Sequence, residues 1–328
     1  MLTVICPLYN EKKYIEHCIE SILRQDYPKD DLEVLFVDGM SNDGTRDILQ
    51  RYCDTYSHFR MLDNPHRVVP YAMNQAIREA KGDVILRIDM HAEYAENYFS
   101  TLTQKLKELN ADNVGCVWKT EVLNKTPKSL AIKAVLCSPF GVGNGSFRVG
   151  ADRIMEVDTV PFGCFRREVF EKYGYYDERL VRNQDIELNK RIAAGGGKIL
   201  LIPEALCTYY ARETYGAIAQ NNYKNGLWNL LVVRLTRNFS ALSLRHFVPL
   251  LFLLSLVLPV IAALFWTPFL WIAGVSLVAY LVALSLVSLK LHKSDKQLKI
   301  CLLMCTFIVL HFSYAAGSFV GIFKSLPK

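Results

Sequence analysis

Two acids and a histidine carry most of the chemistry legible in this chain. The stretch RIDMHAEY (Arg87 to Tyr94) puts Asp89 and His91 just past a run, Asp83 to Ile88, that reads as a buried strand. A carboxylate and an imidazole one residue apart, where a strand gives way to a loop, can share a divalent metal or hold a nucleotide's ribose and phosphates. The plainer use of an acid there is to cap the next turn. Asp185 stands in the first turn of a second element, RNQDIELNKRIAAGGGKI (Arg182 to Ile199), a helix that stops at Gly195 to Gly197. The dipole and free amides of a helix start favour an ionised carboxylate. Such a group, once positioned, can act as a general base contributing about 10²- to 10⁴-fold in rate. Capping its own helix is the competing role for Asp185.

Secondary-structure signals say how these residues meet. Thr3 to Leu8 and Glu33 to Val37 read as apolar strands, and Tyr14 to Gln25 carries Ile15, Cys18, Ile19, Ile22 and Leu23 at helical spacing. The loop DGMSNDGT (Asp38 to Thr45) opens a helix, another helix spans about Tyr71 to Ala80, and the Asp83 strand follows. A helix from about Asn97 to Leu109 and a strand from Val114 to Trp118 come next. The order β-α-β-α-α-β-α-β predicts a mostly parallel α/β sheet with helices on both faces. Ligands of such sheets bind beyond the carboxyl ends of the strands. Tyr9, Asp38 and Asp89 all fall at such ends. Neither GxGxxG nor GxxxxGK[ST] occurs at a strand-to-helix turn, which removes the usual support for hydride transfer or P-loop chemistry. In the second half, Val160 to Glu178 reads as a strand, a turn at Gly163 and a short helix. GVGNGSFRVG (Gly141 to Gly150) reads as either a mobile ligand-approaching loop or a tight surface turn.

Composition changes along the 328 residues. Up to about Tyr215 charged and apolar residues mix as in a soluble domain. From Phe247 to Leu289 there is no charged residue, about twice the roughly 20 residues that cross a bilayer, and Ile300 to Phe323 is a further uncharged stretch. Three spans are expected, residues 247–265, 268–289 and 300–323, the first two turning near Trp266-Thr267-Pro268; a third segment that re-enters is the alternative. A domain of residues 1–225 would precede them, joined by a basic connector, 226–245, lying along the interface or serving as an ordinary linking helix. Arg234, Arg237 and Arg245 before the first span, and Lys290, Lys293, Lys296 and Lys299 after the second, orient both segments toward the cytoplasm. MLTVICPLYNEKKY lacks the apolar run of a secretory signal, so the first domain is expected inside, on the inner membrane. The net charge of +6 suits anionic membrane lipids and gives no reason to invoke nucleic acid. Nine cysteines without a CxxC pair fit reduced thiols.

Several ordered motifs, taken together, resemble a known family. PLYNE (Pro7 to Glu11), VDGMSNDGT (Val37 to Thr45), NPHRVVPYAMNQAI (Asn64 to Ile77), RIDMHAEY, GVGNGSFRVG, VPFGCFRREVF and RNQDIELNKRI resemble the family 2 inverting glycosyltransferases of GT-A fold. Within that family they resemble the ExoA-like succinoglycan glucosyltransferase group. The likeness spans about the first 215 residues and continues in type through the apolar helices.

The resemblance implies roles position by position. Pro7, Tyr9 and Glu11 would border the nucleotide, Asp38 would bond the base or ribose, and Asp89 the ribose or a metal. His91 stands where the broader family has the last acid of its Asp-x-Asp motif; it would bind the ion or only orient a phosphate. A nitrogen ligand suits Mn²⁺ better than Mg²⁺. Asp185 matches the catalytic base, with Gln184 in place of the acid that commonly precedes it. QNNYKNGLW (Gln220 to Trp228) matches the processive members' Gln-x-x-Arg-Trp poorly, implying transfer of one sugar, with Arg212 or Lys224 as diphosphate partners. The implied donor is a UDP-sugar carrying glucose or another hexose. The implied acceptor is a polyprenyl-diphosphate-linked saccharide in exopolysaccharide, capsule or surface-glycan synthesis, alongside other glycan-assembly enzymes. Transfer to polyprenyl phosphate itself, and a nucleotide-sugar-binding membrane protein with little turnover, are the competing functions.

Overall fold

The computed structural model describes every residue except 91, 144, 240, 241, 327 and 328. The chain divides into two compact units, Met1–Lys119 with Ser146–Tyr210, and Thr120–Gly145 with Ala211–Lys328. The division therefore differs from the expected break at residue 225.

The first unit is built on one nine-stranded sheet. β1 (Leu2–Leu8), β2 (Leu32–Asp38), β3 (Phe59–Asp63) and β4 (Val84–Arg87) lie in the order β3-β2-β1-β4, all parallel. The helices α1 (Ile15–Leu23), α2 (Thr45–Thr55) and α3 (Val69–Glu79) supply the crossovers that parallel neighbours need. Successive strand side chains point to opposite faces. Val4 and Cys6 accordingly pack with Ile15, Cys18 and Ile19 of α1, whereas Ile5, Val37 and Ile85 pack with Ala72, Met73 and Ile77 of α3. Covering on both faces is why β1 and β2 are near-continuous apolar runs.

Beyond β4 the sheet becomes mixed. β8 (Cys164–Arg166) runs antiparallel to β4 and to β6 (Asn113–Glu121). β5 (Ala92–Tyr94) and β7 (Met155–Glu156) both pair antiparallel with β9 (Ile199–Tyr210). The parallel character expected from the alternating elements thus resides in the first four strands. α4 (Tyr98–Glu108) precedes β6, and α8 (Glu168–Tyr173) and α9 (Gln184–Ala194) lie between β8 and β9. β3 was not anticipated, because FRMLD is short and carries charge at its second and last positions. The strand expected before Gly163 forms after it. Phe162, at φ 48°, makes the turn, and Gly163 is where a Cβ would come within 2.4 Å of the Phe165 ring.

The second unit is helical: α5 (Pro127–Leu136), the short α6 (Pro139–Val142), α10 (Tyr215–Thr236), α11 (Val248–Ala262), α12 (Phe269–Ser294) and α13 (Ile300–Phe323). Gly141 belongs to α6, and the first unit's single turn α7 (Ser146–Val149) takes up the end of the glycine-rich segment, so its described residues are largely helical turns. α10 runs unbroken through residue 225 and lies against α13. A Cβ on Gly226 would sit 2.1 Å from the Tyr314 carbonyl, and one on Gly317 2.0 Å from that of Tyr223, so glycine allows the two backbones to touch. Leu227, Leu230, Leu231, Val232 and Val233 are buried, which makes this segment a packed helix rather than an amphipathic one. α12 and α13 are long and apolar enough to cross a membrane. α11, expected as the first span, has 15 residues. At 1.5 Å per residue that is about 22 Å, short of a hydrocarbon core of about 30 Å. All nine cysteines are free thiols.

Candidate active site

The carboxyl ends of β1, β2 and β4 open onto one cavity of about 190 Å³. Pro7 lines it from the end of β1, Tyr9 and Glu11 from the loop that follows, Gly39 from the loop after β2, Asn64 and Arg67 from the segment before α3, and Arg87 and Asp89 from the end of β4 and just beyond it. The sheet register sets this convergence, since Leu8 stands opposite Asp38 and Ile5 opposite Arg87. The Arg67 guanidinium lies 5.5 Å from the Tyr9 ring centroid, a flat cationic and aromatic pair on the cavity wall.

The loops after β1 and β2 are stitched together. The Asn10 amide donates to the Ser41 hydroxyl at 2.8 Å, and the Asn42 amide to Asn10 Oδ1 at 2.9 Å. The Glu11 amide donates to the Thr45 hydroxyl and the Lys12 amide to Asp43. Asn10, Met40, Arg67, Phe162 and Asn183 all have positive φ, in segments that border the site. Non-glycine residues persist in that region only where surrounding structure over-determines them.

Asp38, which the resemblance sets against the base or ribose, is held by its own loop and by α2. It is fully buried, and its carboxylate accepts from the Ser41 hydroxyl at 2.5 Å, the Ser41 amide at 2.9 Å and Arg46 Nη1 at 2.6 Å. Arg46 also reaches Asp63 at the end of β3. Asp38 thereby shapes the loop whose Gly39 lines the cavity.

Asp89 and Asp185 are brought together by a residue the sequence reading passed over. Arg87, 8% exposed, donates from Nη1 to both oxygens of Asp185, at 2.8 and 2.6 Å. Its Nη2 and Nε reach Asp89 Oδ1 at 3.0 and 3.3 Å. Burial works against the charged guanidinium, but the charges of Asp185 and Asp89 outweigh it and hold its pKa above the ordinary arginine value. Tyr176, also buried, stands beside Asp185; burial and the Asp185 charge push its phenol upward, so it stays protonated. Asn74 of α3 in turn holds Tyr176. It donates to the Tyr176 carbonyl at 2.9 Å and accepts from the Tyr176 amide at 3.0 Å. On the other side, the Tyr94 hydroxyl accepts from the Asp89 amide at 2.8 Å and donates to the Asp89 carbonyl at 3.2 Å. Arg87 and Asn74 lie inside the motifs RIDMHAEY and NPHRVVPYAMNQAI, but nothing local in the sequence says that they face Asp185 and Tyr176.

Asp185 stands in the first turn of α9, as its sequence signal predicts, behind Gln184, which is buried. Its carboxylate is 32% exposed. A carboxylate offers about four acceptor positions. Two are taken by Arg87, leaving room for an incoming hydroxyl. Asp89 presents Oδ2, which has no partner among the described residues; a carboxylate oxygen is a donor that a divalent cation could use. No cluster of three or more metal-ligating side chains occurs among the described residues. His91 lies outside them. Arg212 and Lys224 are exposed residues of the second unit, before and within α10.

The sequence profile described as Glycosyl transferase family 2 matches residues 3–174, more than half of the chain. The chain belongs to glycosyl transferase family 2. This family 2 glycosyltransferase is 24% identical over 330 residues to a Methanococcus voltae protein, dolichyl N-acetyl-alpha-D-glucosaminyl phosphate 3-beta-D-2,3-diacetamido-2,3-dideoxy-beta-D-glucuronosyltransferase, covering 98% of this chain and 97% of that one. It is 31% identical over 211 residues to the succinoglycan biosynthesis protein ExoA of Rhizobium meliloti (strain 1021), covering 64% of this chain and 63% of ExoA. Its fold matches the mannosyltransferase PcManGT of Pyrobaculum calidifontis, solved with GDP-Man and Mn²⁺, at a TM-score of 0.59, 21% identity, and 95% and 86% coverage of the two chains. Staphylococcus aureus TarS 1–349 with UDP-GlcNAc matches at 0.51, 18% identity, and 70% and 66% coverage. The glycosyltransferase therefore has the GT-A fold, and the ExoA likeness read from its motifs holds.

Proposed function

We propose that this glycosyltransferase inverts the anomeric centre of a single hexose as it moves it from a UDP-sugar to a polyprenyl-diphosphate-linked saccharide at the cytoplasmic face of a membrane. The observation that carries the reading is the Asp185 carboxylate, held by Arg87 beside the cavity that Tyr9, Arg67 and Asp89 line. The Methanococcus voltae relative, alike over nearly the whole chain, is named for transfer to a dolichyl-linked sugar, which supports a lipid-linked acceptor. Two helices long and apolar enough to cross a bilayer support the same location for the enzyme and its acceptor's lipid tail.

In this mechanism Tyr9 and Arg67 receive the nucleoside and Asp89 Oδ2 faces the diphosphate. Asp89, with His91 as a further ligand, would hold a divalent metal, which would supply positive charge to the leaving group. Arg212 or Lys224 would add to that charge. Asp185 takes the proton of the acceptor hydroxyl as its oxygen bonds the anomeric carbon, and the bond from that carbon to the diphosphate oxygen breaks. One displacement leaves a β-linkage from an α-linked donor. Gln184, at the head of α9, is placed to influence which sugar is accepted.

The test is transfer by the full chain in detergent, scanning UDP- and GDP-sugars with polyprenyl phosphate and with diphosphate-linked mono- and oligosaccharides, each with Mn²⁺, Mg²⁺ or EDTA. One UDP-hexose should turn over onto a diphosphate-linked saccharide, most actively with Mn²⁺. Asp185→Asn should lower kcat at least about 10²-fold while leaving UDP affinity in place. Full activity in that variant would remove Asp185 from the chemistry, and transfer to bare polyprenyl phosphate alone would replace the acceptor.

A further inference from the structure

Arg87 is the last residue of β4, and its guanidinium lies where two different elements bring a carboxylate each: the loop after β4 with Asp89, and the start of α9 with Asp185. Its planar fork points Nη1 one way and Nη2 with Nε the other, so a single rigid group fixes both directions at once. A lysine ammonium, a point charge on a flexible stem, cannot do both. The guanidinium carbon lies 6.0 Å from the Phe162 ring centroid, and burial leaves the side chain little room to turn. Neither partner is held as closely from any other charged group: the ion pairs of Asp89 and of Asp185 among the described residues are both with Arg87.

We propose that Arg87 is a positioning residue that registers Asp185, on the acceptor side, against Asp89, on the donor side, so that the two carboxylates act as one unit. The inference rests on the reading of Asp185 as the base. Its consequence is a division of labour within each carboxylate. Asp89 Oδ1 belongs to Arg87, leaving Oδ2 for the donor, and Asp185 keeps one acceptor position aimed at the incoming hydroxyl. Without the fork Asp185 is free to rotate, and a displacement of about 1 Å at a reacting group costs about 10²-fold in rate. Pro7, Tyr9 and Arg67, which line the nucleotide side of the cavity, are untouched by that change.

The experiment compares Arg87→Lys, Asp185→Asn and the double variant as full chains in detergent. It measures kcat and KM with the UDP-hexose that turns over, and UDP affinity by calorimetry in the presence of Mn²⁺. Arg87→Lys should lower kcat about 10²-fold with UDP affinity within about threefold of the parent, and in the Asp185→Asn background the same change should cost less than about threefold, because residues acting as a unit are not additive. Parental kcat in Arg87→Lys, additive losses in the double variant, or a loss confined to UDP affinity would each overturn the proposal. An Asp185→Asn enzyme of full activity would instead overturn the underlying assignment of the base, a separate outcome. Should Arg87→Lys not fold, Arg87→Gln with Asp89→Asn removes one buried charge of each sign; it should lose about 10²-fold in kcat beyond Asp89→Asn alone, and equal rates in those two would refute the role.

Discussion

Asn74 shows how far from the reacting groups this site is built. It is 2% exposed in α3 and makes three hydrogen bonds to a loop about a hundred residues later: to the Tyr176 carbonyl at 2.9 Å, from the Tyr176 amide at 3.0 Å, and to Glu178 Oε1 at 2.9 Å. Asn74→Ala deletes all three and strands a buried amide and carbonyl. At about 1 kcal/mol for each backbone bond, and less than the usual charged-acceptor value for the half-exposed Glu178, the loss is about 3 kcal/mol. In a unit of this size 1 kcal/mol moves Tm by about 2–4 °C, so the expected fall is about 6–12 °C. The assay is thermal unfolding of the full chain in detergent, reading the transition that UDP with Mn²⁺ raises, since only the unit that binds the nucleotide responds. The same variant loosens Tyr176, whose buried ring stands beside Asp185, and kcat should fall about tenfold, the equivalent of about 1.4 kcal/mol. A Tm within about 2 °C of the parent together with an unchanged kcat would refute the chain of support from α3 through Tyr176 to Asp185.

Two further outcomes test other parts of the molecule. Gly317→Leu places side-chain atoms where a Cβ alone would be 2.0 Å from the Tyr223 carbonyl; α10 and α13 must separate, and the purified variant should be cut by trypsin within α10 much faster than the parent, equal rates speaking against close helix contact. Asp43 titrates below the ordinary carboxylate value: burial pushes it up, but the Thr45 hydroxyl and amide and the Lys12 amide together pull it down by more. Its contribution to stability is therefore present above the unfolded value of about 3.9 and is lost as pH falls through the lower folded value. Asp43→Ala should lower Tm by a constant amount between about pH 5 and 7, with a gap that closes below about pH 4; a gap that does not change with pH would assign the effect to something other than the carboxylate.

Much of this architecture was readable from local pattern. β1, β2 and β4 are apolar runs ending in turn or charged residues, so their boundaries, and with them the places of Tyr9, Asp38 and Asp89, lie within a residue or two of the expectation. Asp185 announced itself by its helix start. β3 and β5 were not legible, because short or partly charged strands carry too little alternation to stand out from a loop. The connector before the apolar helices stayed between two readings for a related reason. Its leucines and valines are apolar whether they face lipid or a neighbouring helix, and only the partner, α13 with its glycines, says which.

What the sequence determined by itself was membership: a set of short motifs in a set order, each tied to a strand end or helix start, implied the GT-A glycosyltransferase that the profile and the solved structures bear out. What only the tertiary structure decided was which polar groups meet. Asp38 stood at a strand end with no partner legible and is held by Ser41 and Arg46; Arg87 looked like part of a strand and joins Asp89 to Asp185; Asn74 looked like any residue of a helix and holds Tyr176. A hydrogen bond depends on the relative position of two groups to a few tenths of an ångström. For groups some hundred residues apart, that position is set by the packing of every element between them, and no local stretch of sequence contains it.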